Sequence, residues 1–429
     1  MIASYYFYAW WDYRFVALMA FSTLVNYFAG MIIHNSKSHA IRKFALIFSI
    51  CLSLSTLFFF KYLPWLGSYI TIFLMGDTKQ HFISFISKII LPVGISFFTF
   101  QAMSYPIDLY KGKCNYCPSI LRFSTFVSMF PQLVAGPIIR FSNIDNQLDH
   151  VNNLDHQVDF QGGMDLFFRG LIKKVIFADR IGLLIDPFFV SGAHLNFGAA
   201  WISILGYSLQ IYFDFSGYSD MAIGMGKCMG FKFPDNFLAP YTSSNPSEFW
   251  KRWHITLSTW LRDYVYIPLG GNRHGKEKTL RNLMLTMLIG GLWHGASWTF
   301  VFWGFWHGLV LITHKLTPSH LRDLLPRWIS ILLLNLVVLI GWVFFRMKSI
   351  SQAFYFLTIM LGIGRQTVTM IPWPLFIIVP IGYILHFFER YDYDYAISRG
   401  YAYAILLAFV SSWSILELGK DTPFIYFQF

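Results

Sequence analysis

The chain has 429 residues, of which 55% are hydrophobic, 20% aromatic and only 13% charged, against about 25% charged in an ordinary soluble domain. Its hydrophilic gaps are too short to fold alone, which excludes a separate globular domain and leaves one all-α polytopic bundle over residues 1–429, with roughly 9 to 11 spans. A formal charge of +11 would suggest nucleic acid in a soluble protein, but here the bias of basic residues towards the cytoplasmic loops accounts for it.

Residues 5–13 are rich in Tyr and Trp, as an interfacial belt is, and lead into an apolar span over residues 15–33. No secretory cleavage pattern precedes that span, so an uncleaved N-terminus is expected. Lys37, Arg42 and Lys43 mark a cytoplasmic loop, followed by spans over residues 41–60 and 65–75, the second short enough to be tilted or re-entrant. Residues 83–105 carry Pro92 and Gly94, and residues 121–139 contain Phe130-Pro-Gln-Leu-Val-Ala-Gly-Pro-Ile138, so both read as broken segments. Gln132 in so apolar a run suits backbone lining a cavity and a simple kink equally. Cys114 and Cys117 have CxxC spacing without further ligands nearby; with Cys51 and Cys228 they give neither a metal site nor a disulfide framework.

Residues 142–159, with Asp145, Asp149, Asp155 and Asp159, read as an acidic loop with a solvated face. Residues 160–189 carry Arg169, Lys173, Lys174, Asp179 and Arg180 and belong partly to the interface. A span over residues 197–215 runs into Tyr212-Phe-Asp-Phe-Ser-Gly-Tyr-Ser-Asp220. A membrane helix carries carboxylates at a cost, so Asp214 and Asp220 are expected to hold a helix end or a neighbouring histidine, or to ligate a cation in a transporter.

Residues 230–281 form the longest polar region, with an excess of four positive charges, and are assigned to the cytoplasmic face. Within it, residues 248–266 read as an amphipathic interfacial helix opened by Asn245-Pro-Ser247. Phe249, Trp250, Trp253, Leu257, Trp260 and Leu261 share one arc, and Lys251, Arg252, Ser258, Thr259, Arg262 and Asp263 the other. His254 lies at the edge of the apolar arc and is expected to point inward.

The stretch from 288 to 309 places His294 and His307 in an apolar run long enough to cross a bilayer, with no Lys, Arg, Asp or Glu in it. Gly290, Gly291 and Gly295 around His294 suit a packed crossing or a tunnel wall. Spans near residues 328–345, 353–363, 372–388 and 401–418 and an aromatic tail from Asp421 complete the chain.

Two histidines in separate segments suit acyl transfer, in which a neutral imidazole takes the proton from an acceptor hydroxyl and returns it to a leaving thiolate. The cations Lys251, Arg252, Arg262 and Arg273 are candidates for the phosphates of a carrier such as coenzyme A. From spacing alone, a proton-coupled transporter or a structural bundle fits nearly as well.

The string Phe249-Trp-Lys-Arg-Trp-His254-Ile-Thr-Leu-Ser-Thr-Trp260-Leu-Arg-Asp263-Tyr-Val-Tyr-Ile-Pro268-Leu-Gly-Gly-Asn272-Arg273, followed by Gly291-Leu-Trp-His294-Gly-Ala-Ser-Trp, resembles the membrane-bound O-acyltransferase (MBOAT) family. The branch it resembles is that of bacterial polysaccharide O-acetylation, with D-alanyl transfer to teichoic acids more distant. Phe7-Tyr-Ala-Trp-Trp11, Leu91-Pro-Val-Gly-Ile-Ser-Phe, the 130–138 and 212–220 motifs and the tail Pro423-Phe-Ile-Tyr-Phe-Gln-Phe also look like that branch. Members of that branch usually carry another hydrophobic segment before the first motif, whereas this chain starts almost on it.

The resemblance implies an MBOAT-like bundle with broken, re-entrant and interfacial helices around a central tunnel, in a bacterial inner membrane. It implies His294 as the main catalytic residue and His254 as its companion; the residues themselves offer Trp293, Gly291, Gly295, Tyr212, Asp214 and Gln132 as tunnel or support candidates. Thirteen helical residues separate His307 from His294, a turn of about 220° if the helix is continuous, so an equivalent role for His307 is not expected. No bound cofactor is expected; the acyl donor is acetyl-CoA, or alternatively the phosphopantetheine arm of a carrier protein. With no Ser-His-Asp domain in the chain, a periplasmic SGNH-type partner is expected to complete transfer to the polymer.

Overall fold

Apolar runs in a bilayer must satisfy every backbone N–H and C=O internally, which a helix does within one segment. The computed structural model is accordingly helical, with no strand among the described residues. These are 1–150, 158–190, 195–322, 324–365, 367–389 and 401–417; the aromatic tail and Asp155 lie outside them. They divide into two compact units, Met1–Gly163 with Ala222–Pro234, and Met164–Met221 with Asp235–Phe429.

The first unit contains α1 (Ile2–Asp12), α2 (Val16–Asn35), α3 (His39–Leu57), α4 (Leu63–Ile70), α5 (Gly76–Ser87), α6 (Ile95–Tyr110), α7 (Ile120–Ser128), α8 (Phe130–Leu133) and α9 (Phe141–His150). A π-turn at Phe58–Tyr62 joins α3 to α4, so the expected short third span is the continuation of the second. The interruption expected around Pro92 and Gly94 ends at Gly94, whose φ of +74° starts α6; a Cβ there would lie 2.7 Å from the Leu133 carbonyl oxygen. From Ile95 to Leu109 α6 is buried on every side, and Tyr105 packs at a tilt on Phe123 and edge-on to Phe141, at ring distances of 4.8 and 5.0 Å. The acidic segment begins as a helix, not a loop: α9 buries Ile144, and Asp145 forms a 2.5 Å ion pair with Arg122.

The second unit holds α10 (Phe160–Ile172, from Met164), α11 (Asp179–Ile185), α12 (Phe197–Cys228, to Met221), α13 (Pro246–Arg252), α14 (Ile255–Leu261), α15 (Lys276–His294), α16 (Trp298–Leu316), α17 (Ser319–Arg322), α18 (Arg327–Arg346), α19 (Ile350–Met360), α20 (Leu375–Phe388) and α21 (Tyr401–Glu417). Gly170 of α10 and Gly217 of α12 face each other; a Cβ on Gly217 would lie 2.7 Å from the Gly170 carbonyl oxygen, so the two backbones touch.

Only Ile2–Asn35, His39–Ile70 and Arg327–Arg346 are, among the described residues, helices long and apolar enough to cross a bilayer by length and composition. Of the other apolar runs behind the expected 9 to 11 spans, some form shorter apolar helices, such as Ile350–Met360 and Leu375–Phe388, and some break into two helices. The 288–309 stretch is one of them. It is not one span: α15 ends at His294, residues 295–297 turn the chain, and α16 packs back along α15. Their crossing is at Gly291 and Gly304, where a Cβ on Gly291 would stand 3.2 Å from Gly304 Cα and collide with the Phe300 carbonyl. Gly291→Val should therefore force the hairpin apart and cost about 1–3 kcal/mol. A thermal unfolding midpoint in detergent equal to wild type would contradict this.

Candidate active site

His294 is the last residue of α15 and is 5% exposed. Its ring sits among three aromatic edges or faces, Trp293 at 5.1 Å, Trp303 at 5.0 Å and Phe345 at 5.2 Å. Gly295 follows in extended backbone, and any Cβ there would run into the Phe300 ring. A glycine after the histidine thus lets α16 fold back at once, carrying Trp303 to the imidazole.

His254 lies at a break, which the sequence pattern does not contain. The amphipathic segment expected to be one helix is two, α13 and α14, hinged at Trp253 and His254. His254 has φ +42°, a left-handed conformation that costs a residue with a Cβ about 1–3 kcal/mol. The surroundings hold it there: Ile255 N–H donates to the Asn236 carbonyl at 2.9 Å, and Leu238 N–H donates to the Arg252 carbonyl at 2.9 Å. The ring is 1% exposed, with Phe215 at 4.6 Å edge-on and Asn236 Oδ1 at 3.1 Å from Nδ1. This segment lies outside the membrane-crossing helices, and burial pushes the imidazole down to about 3, so it is neutral at physiological pH.

The hinge and the hairpin bring the two histidines together. Their ring centroids are 6.4 Å apart, and Trp293 lies beside both, 5.7 Å from His254 and 5.1 Å from His294. His307 is on the same hairpin but one ring removed: Trp303 stands 4.9 Å from it and 5.0 Å from His294. Since α15 and α16 are separate helices, the intervening indole and not a turn of about 220° along one continuous helix separates the two rings. His307 packs against Trp250 at 5.2 Å and over Gly341, where a Cβ would lie 2.5 Å from its Nε2.

The remaining candidates fall into three groups. Tyr212 and Asp214 belong to a buried ionic cluster: Asp214 pairs with Lys174 at 2.7 Å, Asp220 with Lys173 at 2.6 Å, and Tyr212 donates to Glu389 at 2.5 Å. The carboxylates expected to hold a histidine or a cation thus hold two consecutive lysines of the π-turn Lys173–Ala178. Of the proposed phosphate ligands, Arg252 is tied to Glu248 at 2.8 Å and to Thr242 at 3.1 Å and is half-buried, whereas Lys251, Arg273 and Arg262, the last paired with Asp263 at 2.7 Å, are exposed. Gln132 belongs to the first unit, where its Nε2 donates to the Phe126 carbonyl at 3.2 Å. Among the described residues no three His, Cys, Asp or Glu side chains are grouped to hold a metal ion.

Sequence reasoning overlooked Asn236, His386 and Glu389. His386 and Glu389 close an otherwise apolar helix three residues apart, which is a legible signal. His386 Nε2 accepts the Tyr241 N–H at 3.1 Å, and its Nδ1 lies 3.9 Å from Glu389. Asn236, a single amide in a loop of aromatics and prolines, gives no such signal.

Residues 2–355 match the family model described as MBOAT, membrane-bound O-acyltransferase family. The chain is 44% identical over 372 residues to a probable alginate O-acetylase of Pseudomonas aeruginosa, covering 85% of this chain and 69% of the relative. It is 38% identical over 393 residues to a peptidoglycan O-acetyltransferase of Helicobacter pylori, covering 85% and 73%. Over 232 residues it is 31% identical to a teichoic acid D-alanyltransferase of Streptococcus thermophilus, covering 51% and 56%. The chain belongs to the membrane-bound O-acyltransferase family and is a membrane O-acyltransferase acting on an acyl donor.

Proposed function

We propose that the chain is a multi-pass protein of the bacterial inner membrane that moves acetyl from cytoplasmic acetyl-CoA towards an extracytoplasmic polysaccharide such as alginate or peptidoglycan. His294 and His254 form its catalytic pair. The observation that carries this reading is their approach to 6.4 Å in a buried aromatic surround, joined to the names of the relatives that match most of the chain. At that spacing one reacting group can lie within hydrogen-bond reach of both rings.

The step balances without a cofactor. The acceptor hydroxyl gives its proton to a neutral imidazole as the O–C bond forms at the thioester carbonyl; the C–S bond breaks, and the proton passes to the departing thiolate. Lys251 and Arg273 are exposed on the segment assigned to the cytoplasm and suit the donor's phosphates. Final transfer to the polymer falls to a periplasmic SGNH-type partner. The transporter reading loses its main support, because Asp214 and Asp220 are held by Lys174 and Lys173.

Purified chain in liposomes, supplied with acetyl-labelled CoA, is expected to turn over the thioester and to lose that turnover in His254→Ala by roughly 10²-fold. Turnover with acyl carrier protein and none with acetyl-CoA would assign the donor to the phosphopantetheine class. Wild-type turnover in both His254→Ala and His294→Ala would overturn the catalytic pair.

A further inference from the structure

We propose that Asn236 is a positioning residue that fixes the tautomer of His254, holding the proton on Nδ1 and leaving Nε2 as the nitrogen that can accept one. The inference rests on His254 serving the acyl transfer proposed above, and it comes from which atoms around the amide can only donate.

Asn236 is 1% exposed, and its side-chain oxygen faces three groups: the Thr256 hydroxyl at 2.9 Å, the Thr256 backbone N–H at 3.4 Å and His254 Nδ1 at 3.1 Å. A backbone N–H has no acceptor capacity, so the amide atom opposite it is the oxygen. The other end of the amide is compatible with this, since the buried Ser219 hydroxyl, which can donate or accept, takes the Nδ2 hydrogen at 3.0 Å. The Thr256 N–H orients the amide, and with that orientation its oxygen is an acceptor only. The histidine nitrogen 3.1 Å away must then carry the hydrogen.

A neutral imidazole has one N–H, and burial keeps this ring neutral. A proton on Nδ1 therefore means a lone pair on Nε2. The same residue also fixes the backbone: the Asn236 carbonyl accepts Ile255 N–H at 2.9 Å, just after the left-handed turn of His254. Phe215 and Phe237, at 4.6 and 6.3 Å, bound the ring. One asparagine thus sets the turn, the ring and the proton. In a general base this matters because the wrong tautomer presents an N–H where a lone pair is needed.

The test uses the full chain in lipid nanodiscs, with its 13 histidines labelled with ¹⁵N and His254 assigned by difference against His254→Gln. Wild type is expected to show a protonated Nδ1 and a bare Nε2 at His254. Asn236→Ala should redistribute the proton towards Nε2 and lower kcat about tenfold or more with KM for the donor unchanged. Asn236→Asp keeps an acceptor oxygen in place and should retain the Nδ1–H form and recover most of kcat. A His254 carrying its proton on Nε2 in wild type overturns the inference, as does an Asn236→Ala protein whose His254 spectrum and kcat equal those of wild type. If Asn236→Ala does not fold, the wild-type spectrum still decides. Because the spectrum is read without turnover, it is independent of whether His254→Ala abolishes activity, so failure of the catalytic pair and failure of the tautomer assignment give different results.

Discussion

His294→Ala should lower acyl transfer by roughly 10²- to 10⁴-fold, the range a positioned acid–base group contributes, while the protein remains folded. The expectation of an intact fold comes from the packing. His294 is a terminal residue of α15, and its ring fills a space walled by Trp293, Trp303 and Phe345, of which Trp303 and Phe345 pack on each other directly at 5.4 Å. The hairpin itself is held by the Gly291–Gly304 crossing, which the substitution does not touch. Thermal unfolding measured beside thioester turnover separates the two effects. A variant that unfolds near the wild-type temperature and has lost turnover supports a chemical role; one that keeps turnover removes His294 from the mechanism. His307→Ala is the informative neighbour. It lies beyond Trp303 and against Gly341, so its loss should act through packing, lowering stability more than turnover per folded molecule.

Much of the architecture is written in the apolar runs, because hydrocarbon forces helix on any backbone it encloses. The limits of α2, α18 and α20 follow the runs at 15–33, 328–345 and 372–388 within a few residues. The runs do not reveal where a helix breaks inside an unbroken apolar or amphipathic pattern. The hinge at His254 is hidden because Trp253 and His254 continue the periodicity of the arc, and only the pairing of 252–255 with the 236–238 loop, distant in sequence, imposes the left-handed turn. The turn at residues 295–297 had a signal in Gly295, but a glycine beside a histidine also fits a straight, closely packed helix. For the same reason both histidines can be named from the sequence, while their 6.4 Å approach cannot. It depends on two breaks that return the chain on itself. The partners of Asp214 and Asp220 were equally hidden: Lys173 and Lys174 look interfacial in sequence and reach inward through a π-turn.

Lys173→Met should be among the most destabilising single changes in the second unit, at about 3–5 kcal/mol, because it removes one partner from a buried ion pair and leaves the others charged. Lys173 Nζ lies 2.6 Å from Asp220 and also pairs with Glu389, and the lysine and aspartate side chains are 13% and 5% exposed. Without the ammonium, two carboxylates face each other in a space where water does not screen them. Tyr212 and His386 do not replace it, since the Tyr212 hydroxyl already donates to Glu389 and His386 stands 3.9 Å away. The adjacent pair of Lys174 with Asp179 and Asp214 is a second, similar unit, so loss of one lysine leaves the other cation committed. The measurement is folded yield and unfolding midpoint in detergent, for Lys173→Met alone and for Lys173→Met combined with Asp220→Asn and Glu389→Gln. Neutralising all three members removes the buried charge and should restore most of the loss, since a fully neutral replacement of a buried pair is often tolerated. A cation pathway through Asp220 predicts the opposite for the single variant: a folded protein with freed carboxylates and increased proton or sodium flux. A wild-type midpoint with raised flux would therefore give the cluster a role in cation passage, and a destabilised protein rescued by neutralisation assigns it to holding α10, α12 and the end of α20 together.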